Sequence, residues 1–171
     1  MEDCPSRPGG YTTRASPCRT LRQHLRSRAA PASTPHDCIF CKIAAGEIPS
    51  AKIYDHGGVF AFLDIAPVNK GHALVVPQKH YETLFDLPVD LGRELTMALK
   101  TVGKAVMDAT GAAGLNLGMN NFEAAGQLVN HAHFHLIPRH KGDGLTLWTQ
   151  HAYESVEDMQ KLAQAIRSAI G

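Results

Sequence analysis

His131-Ala132-His133-Phe134-His135-Leu136-Ile137-Pro138 decides how the rest of this 171-residue chain is interpreted. Because side chains alternate between the two faces of a β-strand, a strand over 131–137 places all three histidines on one face, spread over about 13 Å at roughly 3.3 Å per residue. The apolar side chains between them face the other way, where a helix can cover them. A buried polar group without a partner costs about 1 to 3 kcal/mol, so a functional row explains the pattern better than chance does. The serious alternative is a metal site, because His-x-His on a strand readily supplies two zinc ligands.

Short strands are predicted around this row. Residues 51–54, 59–64 and 72–76 have strand composition and are separated by turn residues, and 115–120 forms another such segment. Three successive short strands suggest an antiparallel meander.

Two helices complete the prediction. Asp86 can cap a long helix with Pro88 near its start, and apolar residues recur at three- and four-residue spacing until Gly111 ends it. Ser155 with Asp158 resembles the capping box of a C-terminal helix. The order strands, helix, strands, helix predicts the α+β class, with a mainly antiparallel sheet, one long helix and a C-terminal helix.

Composition restricts the function classes. Hydrophobic residues make up 44% and charged residues 19%, as in soluble globular proteins, and the net charge of +1 does not favour stable nucleic-acid binding. Without a long apolar run or a secretory signal, we expect no membrane association and a cytoplasmic location.

The N-terminal segment differs in composition from the rest. Residues 1–36 are rich in Arg, Ser and Pro, with six arginines against two acidic residues, and are predicted to be a disordered extension. The alternative is a transit peptide, which would imply a mitochondrial location. A single ordered domain is predicted over 37–171.

Several motifs of the chain together resemble the histidine triad (HIT) family. The row at 131–137 is similar to the family's H-φ-H-φ-H-φ-φ signature, and five further motifs occur in the family's order and spacing. These are Cys38-Ile39-Phe40-Cys41-Lys42-Ile43, Gly46-Glu47-Ile48-Pro49, Phe62-Leu63-Asp64-Ile65-Ala66-Pro67, Gly71-His72 and Gly126-Gln127. The resemblance implies the HIT-like fold, and its zinc-bearing branch resembles the adenosine phosphoramidases.

The resemblance also implies catalytic roles. His133 would be the nucleophile toward the α-phosphorus of a nucleotide, which is consistent with an imidazole that is substantially neutral at pH 7. His135 and His72 would contact the same phosphate and stabilise developing charge. Asn120 and Gln127 would add neutral donors, although ordinary turn chemistry explains such residues as well. Gly126 would let the backbone approach the substrate closely.

The nucleotide would be bound by one carboxylate and an apolar slot. Family members hold the ribose hydroxyls with a carboxylate, and Asp64 fits that role. The slot residues, each of which could also be plain core, are Ile39, Phe40, Ile43, Phe62, Ile65 and Leu74. Leu128 stands where several relatives have a serine, so this chain has no hydroxyl at that position to assist the leaving group.

Cys38-x-x-Cys41 indicates a metal site or a redox site. By resemblance to the zinc-bearing branch, His80 and His131 would complete a structural zinc site. A redox motif would require a βαβ context, which is absent, and two free thiols left from a lost site are a third reading. Five histidines without a matching pattern are predicted to lie on the surface, namely His24, His36, His56, His140 and His151.

The expected function is cleavage of purine nucleoside phosphoramidates or adenylates at the α-phosphate, through a nucleotidyl-histidine intermediate that releases a nucleoside monophosphate. A dinucleoside polyphosphate hydrolase is the alternative within the enzyme class, and fold likeness does not choose between the two. A nucleotide-binding regulatory protein without significant turnover is the alternative outside it. A homodimer is expected by analogy with relatives.

Overall fold

Five antiparallel strands form the single sheet in the computed structural model, which describes residues 37–171. The strands are β1 (Lys52–His56), β2 (Val59–Leu63), β3 (Ala73–Pro77), β4 (Gly114–Gly118) and β5 (Phe134–Arg139). Their spatial order is β1-β2-β3-β5-β4, so β5 lies between β3 and the edge strand β4. The predicted α+β class is confirmed, while the prediction for residues 1–36 lies outside the described residues.

One face of the sheet packs against the long helix α2 (Gly92–Thr110). Val75 and Leu136 from the sheet and Ala98, Val102 and Val106 from the helix belong to one buried cluster. The alternating apolar residues of β5 therefore point toward α2, as the sequence pattern predicts, and the histidine face of the strand is left to the opposite side.

The opposite face packs against the short helix α1 (Ile39–Ala44). Phe40 of α1 joins Phe60 and Phe62 of β2 and Leu74 of β3 in a second buried cluster. The ring of Phe40 also meets that of His133 edge to face at 5.2 Å between centroids. This helix therefore brings the first motif of the chain against the histidine row.

Strand β5 begins three residues later than predicted, at Phe134 instead of His131. Strand β3 pairs with β5 only as far as Val75 opposite Phe134, and the Ala132 amide then donates to the Tyr81 carbonyl in the following loop at 2.6 Å. His131 and His133 consequently precede the strand, and His135 is the one histidine of the row within β5. The three rings still lie on the α1 side, because Phe40 contacts those of His131 and His133, and His133 contacts that of His135.

The start of the long helix also differs from the prediction. Asp86 belongs to a capping box with Thr83 on a short 3₁₀ turn, and α2 begins at Gly92 after a second such turn. The predicted end is confirmed, since Gly111 closes the helix with φ +65°.

The C-terminal helix α3 (Val156–Ile170) is capped as predicted by Ser155, whose hydroxyl accepts from the Asp158 amide at 3.0 Å. Its apolar stripe is exposed within the described part of the chain. No helix in residues 37–171 is long and apolar enough to cross a membrane.

Candidate functional site

A cavity of about 680 Å³ opens on the α1 side of the sheet. It gathers the predicted carboxylate Asp64, the predicted contacts Asn120 and Gly126, and His72. With them it brings together the whole predicted apolar slot and two histidines of the row, namely Ile39, Phe40, Ile43, Phe62, Ile65, Leu74, His133 and His135. All predicted nucleotide-binding residues except Gln127 therefore line one cavity, with Ile65 almost fully exposed at its rim.

The orientation of His133 is fixed by a single hydrogen bond. Its Nδ1 lies 2.6 Å from the carbonyl oxygen of His131, and because a carbonyl can only accept, Nδ1 carries the proton. The other nitrogen, Nε2, therefore holds the lone pair. Burial lowers the pKa of His133, so the ring is neutral at pH 7 and its lone pair is available.

His72 and His135 form a hydrogen-bonded pair whose tautomers can be worked out. The backbone amide of Val68 donates to His72 Nδ1 at 3.3 Å, which places the proton of neutral His72 on Nε2. That nitrogen donates to His135 Nδ1 at 2.9 Å. His135 must then carry its own proton on Nε2, where it can act as a donor. Burial, with the neighbouring imidazoles of His133 and His72, lowers the pKa of His135 to about 4.

Asp64 follows β2 and lies beside this pair. Its Oδ1 accepts from the Ala66 amide at 2.9 Å, and its Oδ2 is 3.4 Å from His72 Nδ1. Burial lowers the pKa of His72 and the Asp64 carboxylate opposes that shift. The site therefore has one anionic group at its edge and a row of neutral imidazoles inside.

Gln127 lies beneath the cavity instead of lining it. Its amide nitrogen donates to the carbonyls of Glu82 at 2.7 Å and Val129 at 3.1 Å, and its oxygen accepts from the Phe122 amide at 2.7 Å. These bonds tie the loop 120–129 to the loop after β3, with Phe122 held at the unusual φ of +70°. Gln127 is thus a positioning residue for the loop that carries Asn120 and Gly126.

The Val68 amide is a functional group that sequence reasoning missed. It selects the tautomer of His72 through the backbone, and a backbone amide leaves no residue-type signal in a sequence. The preceding Pro67, quoted above only as part of a family motif, is the nearest sign of a fixed turn at this position.

Cys38 and Cys41 meet His80 and His131 in a second cluster. Cys38 Sγ lies 3.3 Å from His131 Nδ1, and Cys41 Sγ lies 3.3 Å from His80 Nδ1 and 3.6 Å from His131 Nδ1. One ligand atom from each residue lies within 4.8 Å of the others, so the four residues could hold one metal ion.

The protonation chemistry of this cluster fits a zinc ion. His131 Nε2 donates to the Pro77 carbonyl at 2.9 Å, which leaves the Nδ1 lone pair directed at both sulfurs. Burial and the adjoining Cys38 raise the pKa of Cys41 to about 11, so the Cys41 thiol needs a cation to be a thiolate at neutral pH. Two sulfurs and two imidazoles are a common tetrahedral zinc set.

His56, His140 and His151 are exposed, which confirms their predicted surface location. His24 and His36 lie outside the described residues.

Comparison with known proteins agrees with this architecture. The family model described as "HIT domain" matches residues 45–142, more than half of the chain. "Protein hit" from Bacillus subtilis (strain 168) is 45% identical over 133 residues, covering 76% of this chain and 92% of that protein. "Adenosine 5′-monophosphoramidase hnt1" from Schizosaccharomyces pombe is 38% identical over 135 residues, covering 78% of this chain and 98% of that protein.

Solved structures give the same result. SMU.412c from Streptococcus mutans UA159 superposes with a TM-score of 0.76 at 38% identity, covering 82% of this chain and 89% of that chain. A "ZN-bound histidine triad family protein" from Mycobacterium smegmatis gives a TM-score of 0.58 at 32% identity, covering 80% and 99%. An antiparallel sheet with a histidine row over a nucleotide-sized cavity defines a histidine triad protein. The chain belongs to the HIT family, whose named relatives support nucleotide hydrolysis at a general level.

Proposed function

We propose that the chain hydrolyses purine nucleoside 5′-phosphoramidates or related adenylates at the α-phosphate, through a covalent nucleotidyl-His133 intermediate. The observation that carries this proposal is the His133 Nδ1 bond to the His131 carbonyl, because it leaves the Nε2 lone pair free to attack. The relative named adenosine 5′-monophosphoramidase supports the choice of substrate class.

The reaction divides into two substitutions at phosphorus. His133 Nε2 attacks, the P–N bond to the amine breaks with its electron pair leaving on nitrogen, and the amine takes up a proton. Water then attacks the same phosphorus, loses a proton and returns the electron pair to Nε2, which releases the nucleoside monophosphate. The Nε2 proton of His135 donates to a phosphate oxygen in both steps.

Binding of the nucleoside uses the remaining wall of the cavity. The Asp64 carboxylate is assigned to the ribose hydroxyls, because its Oδ2 accepts no hydrogen bond among the described contacts and His72 Nδ1, 3.4 Å away, carries a lone pair instead of a proton. Phe40, Phe62 and Leu74 form apolar walls for the base, and such walls discriminate between bases only weakly.

The test is intact-protein mass after brief reaction with adenosine 5′-phosphoramidate, comparing the wild type with His133→Asn. We expect one adenylyl increment on the wild type, none on the variant, and a loss of turnover of about 10³-fold or more. His140→Asn, which changes an exposed histidine outside the cavity, is the matched control and should behave like the wild type. Equal turnover by His133→Asn would reject the mechanism, and nucleotide binding without any adduct would favour a regulatory binding protein.

Zinc is proposed as a structural cofactor held by Cys38, Cys41, His80 and His131. When bound, it would tether α1 and the loop after β3 to the residues just before β5. Its role is separate from bond cleavage, since His131 is fully buried and does not line the cavity.

The oligomeric state, the extent of the domain and the cellular location are also proposed. The exposed apolar stripe of α3 and the unpaired edge of β4 leave two surfaces within the described residues that a second copy could cover, in support of a homodimer. A domain over 37–171 and a cytoplasmic location are proposed from the sequence, and a reporter fused to residues 1–36 would reveal a mitochondrial signal.

A further inference from the structure

The side chain of Asn69 ties the turn before β3 (residues 67–71) to the end of β5. Its Nδ2 donates to the Pro138 carbonyl at 2.9 Å and to Asp143 Oδ2 at 3.1 Å. Because a carbonyl and an ionised carboxylate can only accept, the nitrogen of the Asn69 amide must face both of them. On its other side, the backbone carbonyl of Asn69 accepts from the His72 amide at 2.9 Å. The turn is therefore bonded both to β5 and to a histidine of the cavity.

The two acceptors of the Asn69 amide are themselves held in place. Asp143 accepts from Arg139 Nε at 2.7 Å and Nη2 at 2.9 Å, and from two backbone amides of its own loop at 3.1 and 3.0 Å. The hydrogen bond from Arg139 holds the pKa of Asp143 well below its usual range, so the carboxylate stays ionised. Pro138 is fully buried within β5. Asn69 is thus anchored to a fixed carboxylate and a fixed carbonyl.

The anchored turn carries the backbone amide that selects the tautomer of His72. This is the amide of Val68, which donates to His72 Nδ1 at 3.3 Å. Asp64 Oδ2 lies 3.4 Å from the same nitrogen, but no hydrogen bond joins the two atoms among the described contacts. A carboxylate is the stronger partner in general, because hydrogen bonds to an ionised group are roughly twice as strong as neutral ones. Nδ1 of His72 therefore keeps its lone pair only while the turn holds the Val68 amide in position.

The other tautomer of His72 would reverse its hydrogen bond with His135. With the proton on Nδ1, bonded to Asp64, Nε2 of His72 would hold the lone pair. His135 Nδ1, 2.9 Å away, would have to donate to it, and the proton would leave His135 Nε2. Neither ring changes its charge, since each only moves its one proton through exchange with water. His135 would, however, lose the donor that the proposed mechanism directs at the phosphate.

From these contacts we propose that Asn69 is a positioning residue for the reaction. By holding the turn against β5, its amide fixes the direction of the hydrogen bond from His72 to His135 and so keeps the donor of His135 toward the substrate. The inference rests on the proposed function and adds to it a residue that does not line the nucleotide cavity. Asn69 acts through the protonation pattern of two histidines and makes no contact with the nucleotide.

The first measurement reads the tautomer directly, in the full-length protein without substrate. Two-bond ¹H–¹⁵N correlation spectra of histidine-labelled protein at pH 7 distinguish the protonated ring nitrogen from the unprotonated one, and His72→Asn identifies the signals of His72. We expect Nε2 of His72 to be protonated in the wild type, and Nδ1 in most molecules of Asn69→Ala. Asn69→Asp keeps the shape of the side chain and removes both donors, so it should show the same change even if the alanine variant does not fold. Lys70→Ala, at an exposed residue of the same turn, is the matched control and should keep the wild-type tautomer.

The second measurement is kcat/KM for adenosine 5′-phosphoramidate in the same variants. Only molecules with the proton on Nε2 of His72 are competent, so activity should fall in proportion to their share. A variant that retains about one tenth of this tautomer should lose about tenfold in kcat/KM. Lys70→Ala should react like the wild type.

The outcomes separate this inference from the function on which it rests. A wild type with the proton on Nδ1 of His72, or Asn69 variants that keep the wild-type tautomer, would overturn the inference and leave the proposed function standing. Lost activity with an unchanged tautomer would mean a structural role only, and a changed tautomer with full activity would mean that the direction of the bond does not matter, so either result also rejects it. If the wild type does not hydrolyse the phosphoramidate, the proposed function fails, and the spectra still decide whether Asn69 sets the direction of the bond.

Discussion

At the residue scale, the tautomers of the histidines separate their tasks. His133 is protonated on Nδ1 by virtue of a carbonyl acceptor, and His135 on Nε2 by virtue of the chain through His72 to the Val68 amide. One ring therefore presents a lone pair and its neighbour a proton. In the proposed mechanism the same side-chain type acts as nucleophile and as donor, because the backbone around each ring differs.

The low pKa of His135 predicts a specific loss of stability in acid. In the unfolded chain this group titrates near 6.5, but in the folded protein near 4 because its charged form is desolvated. Above 6.5 both states are neutral and the full stability is present. Between 6.5 and 4 only the unfolded chain takes up the proton, so the free energy of unfolding falls by about 1.4 kcal/mol per pH unit.

Urea denaturation of the wild type and His135→Asn at pH 7 and pH 5 checks this prediction. The variant lacks the titrating ring, so its free energy of unfolding should fall by about 2 kcal/mol less than that of the wild type between pH 7 and pH 5. Any proton uptake by the cysteine and histidine cluster is common to both proteins and cancels. Identical losses would mean that His135 titrates normally in the folded state.

At the element scale, the turn before β3 is built on a glycine that tolerates no side chain. Gly71 has φ +96°, and a Cβ there would lie 2.5 Å from Thr110 Cγ2 at the end of α2. We expect Gly71→Ala to lower the free energy of unfolding by about 2 to 4 kcal/mol, from backbone strain plus overpacking. Activity should also fall, because His72 is the next residue.

Gly58→Ala is the matched control for this turn. Gly58 also has a positive φ, of +76°, but a Cβ there would meet nothing within 4 Å. Only the backbone strain remains, so we expect a loss of about 1 to 2 kcal/mol. Chemical denaturation of both variants measures the difference, and equal losses would show that the contact between Gly71 and α2 is not tight.

Some elements of the fold follow from the local sequence, and others depend on contacts with distant parts of the chain. The order of strands and helices and the alternation along β5 follow from local periodicity, and the end of α2 from Gly111. The early departure of His131 from the sheet does not, because it depends on where β3 ends and on the hydrogen bond from Ala132 to Tyr81 in a distant loop. Likewise, the sequence indicated a polar role for Gln127 but not that its amide is used up in three loop contacts.

At the scale of the whole molecule, the proposed zinc ion ties together parts of the chain far apart in sequence. The metal cluster joins residues 38–41 to His80 and His131, separations of 39 and 93 residues. Removing the ion would leave two thiols and two imidazoles, all buried or half-buried, without the cation that they coordinate. We therefore expect a strong chelator to lower the free energy of unfolding by several kcal/mol.

Elemental analysis and thermal denaturation with and without chelator test this expectation. One zinc ion per chain and a lower melting temperature after chelation are the expected results, and Cys41→Ser should reproduce the loss without chelator. His133→Asn, which leaves all four cluster residues in place, should bind zinc like the wild type. A metal-free protein of unchanged melting temperature would instead support the free-thiol reading.

The side chain and the backbone of His131 have separate roles, and the two can change independently in evolution. Its ring belongs to the cluster that could hold a metal ion, while its carbonyl oxygen orients His133, the proposed nucleophile. A homologue could therefore lose the metal site through replacement of His131 and still orient His133, because every amino acid has a backbone carbonyl. The hydrogen bond to His133 is retained only if the new side chain fills the buried space of the imidazole, so that the backbone at position 131 does not move. In homologues without the metal site, we therefore expect larger apolar side chains at positions 38, 41 and 80, which fill the space of the ion.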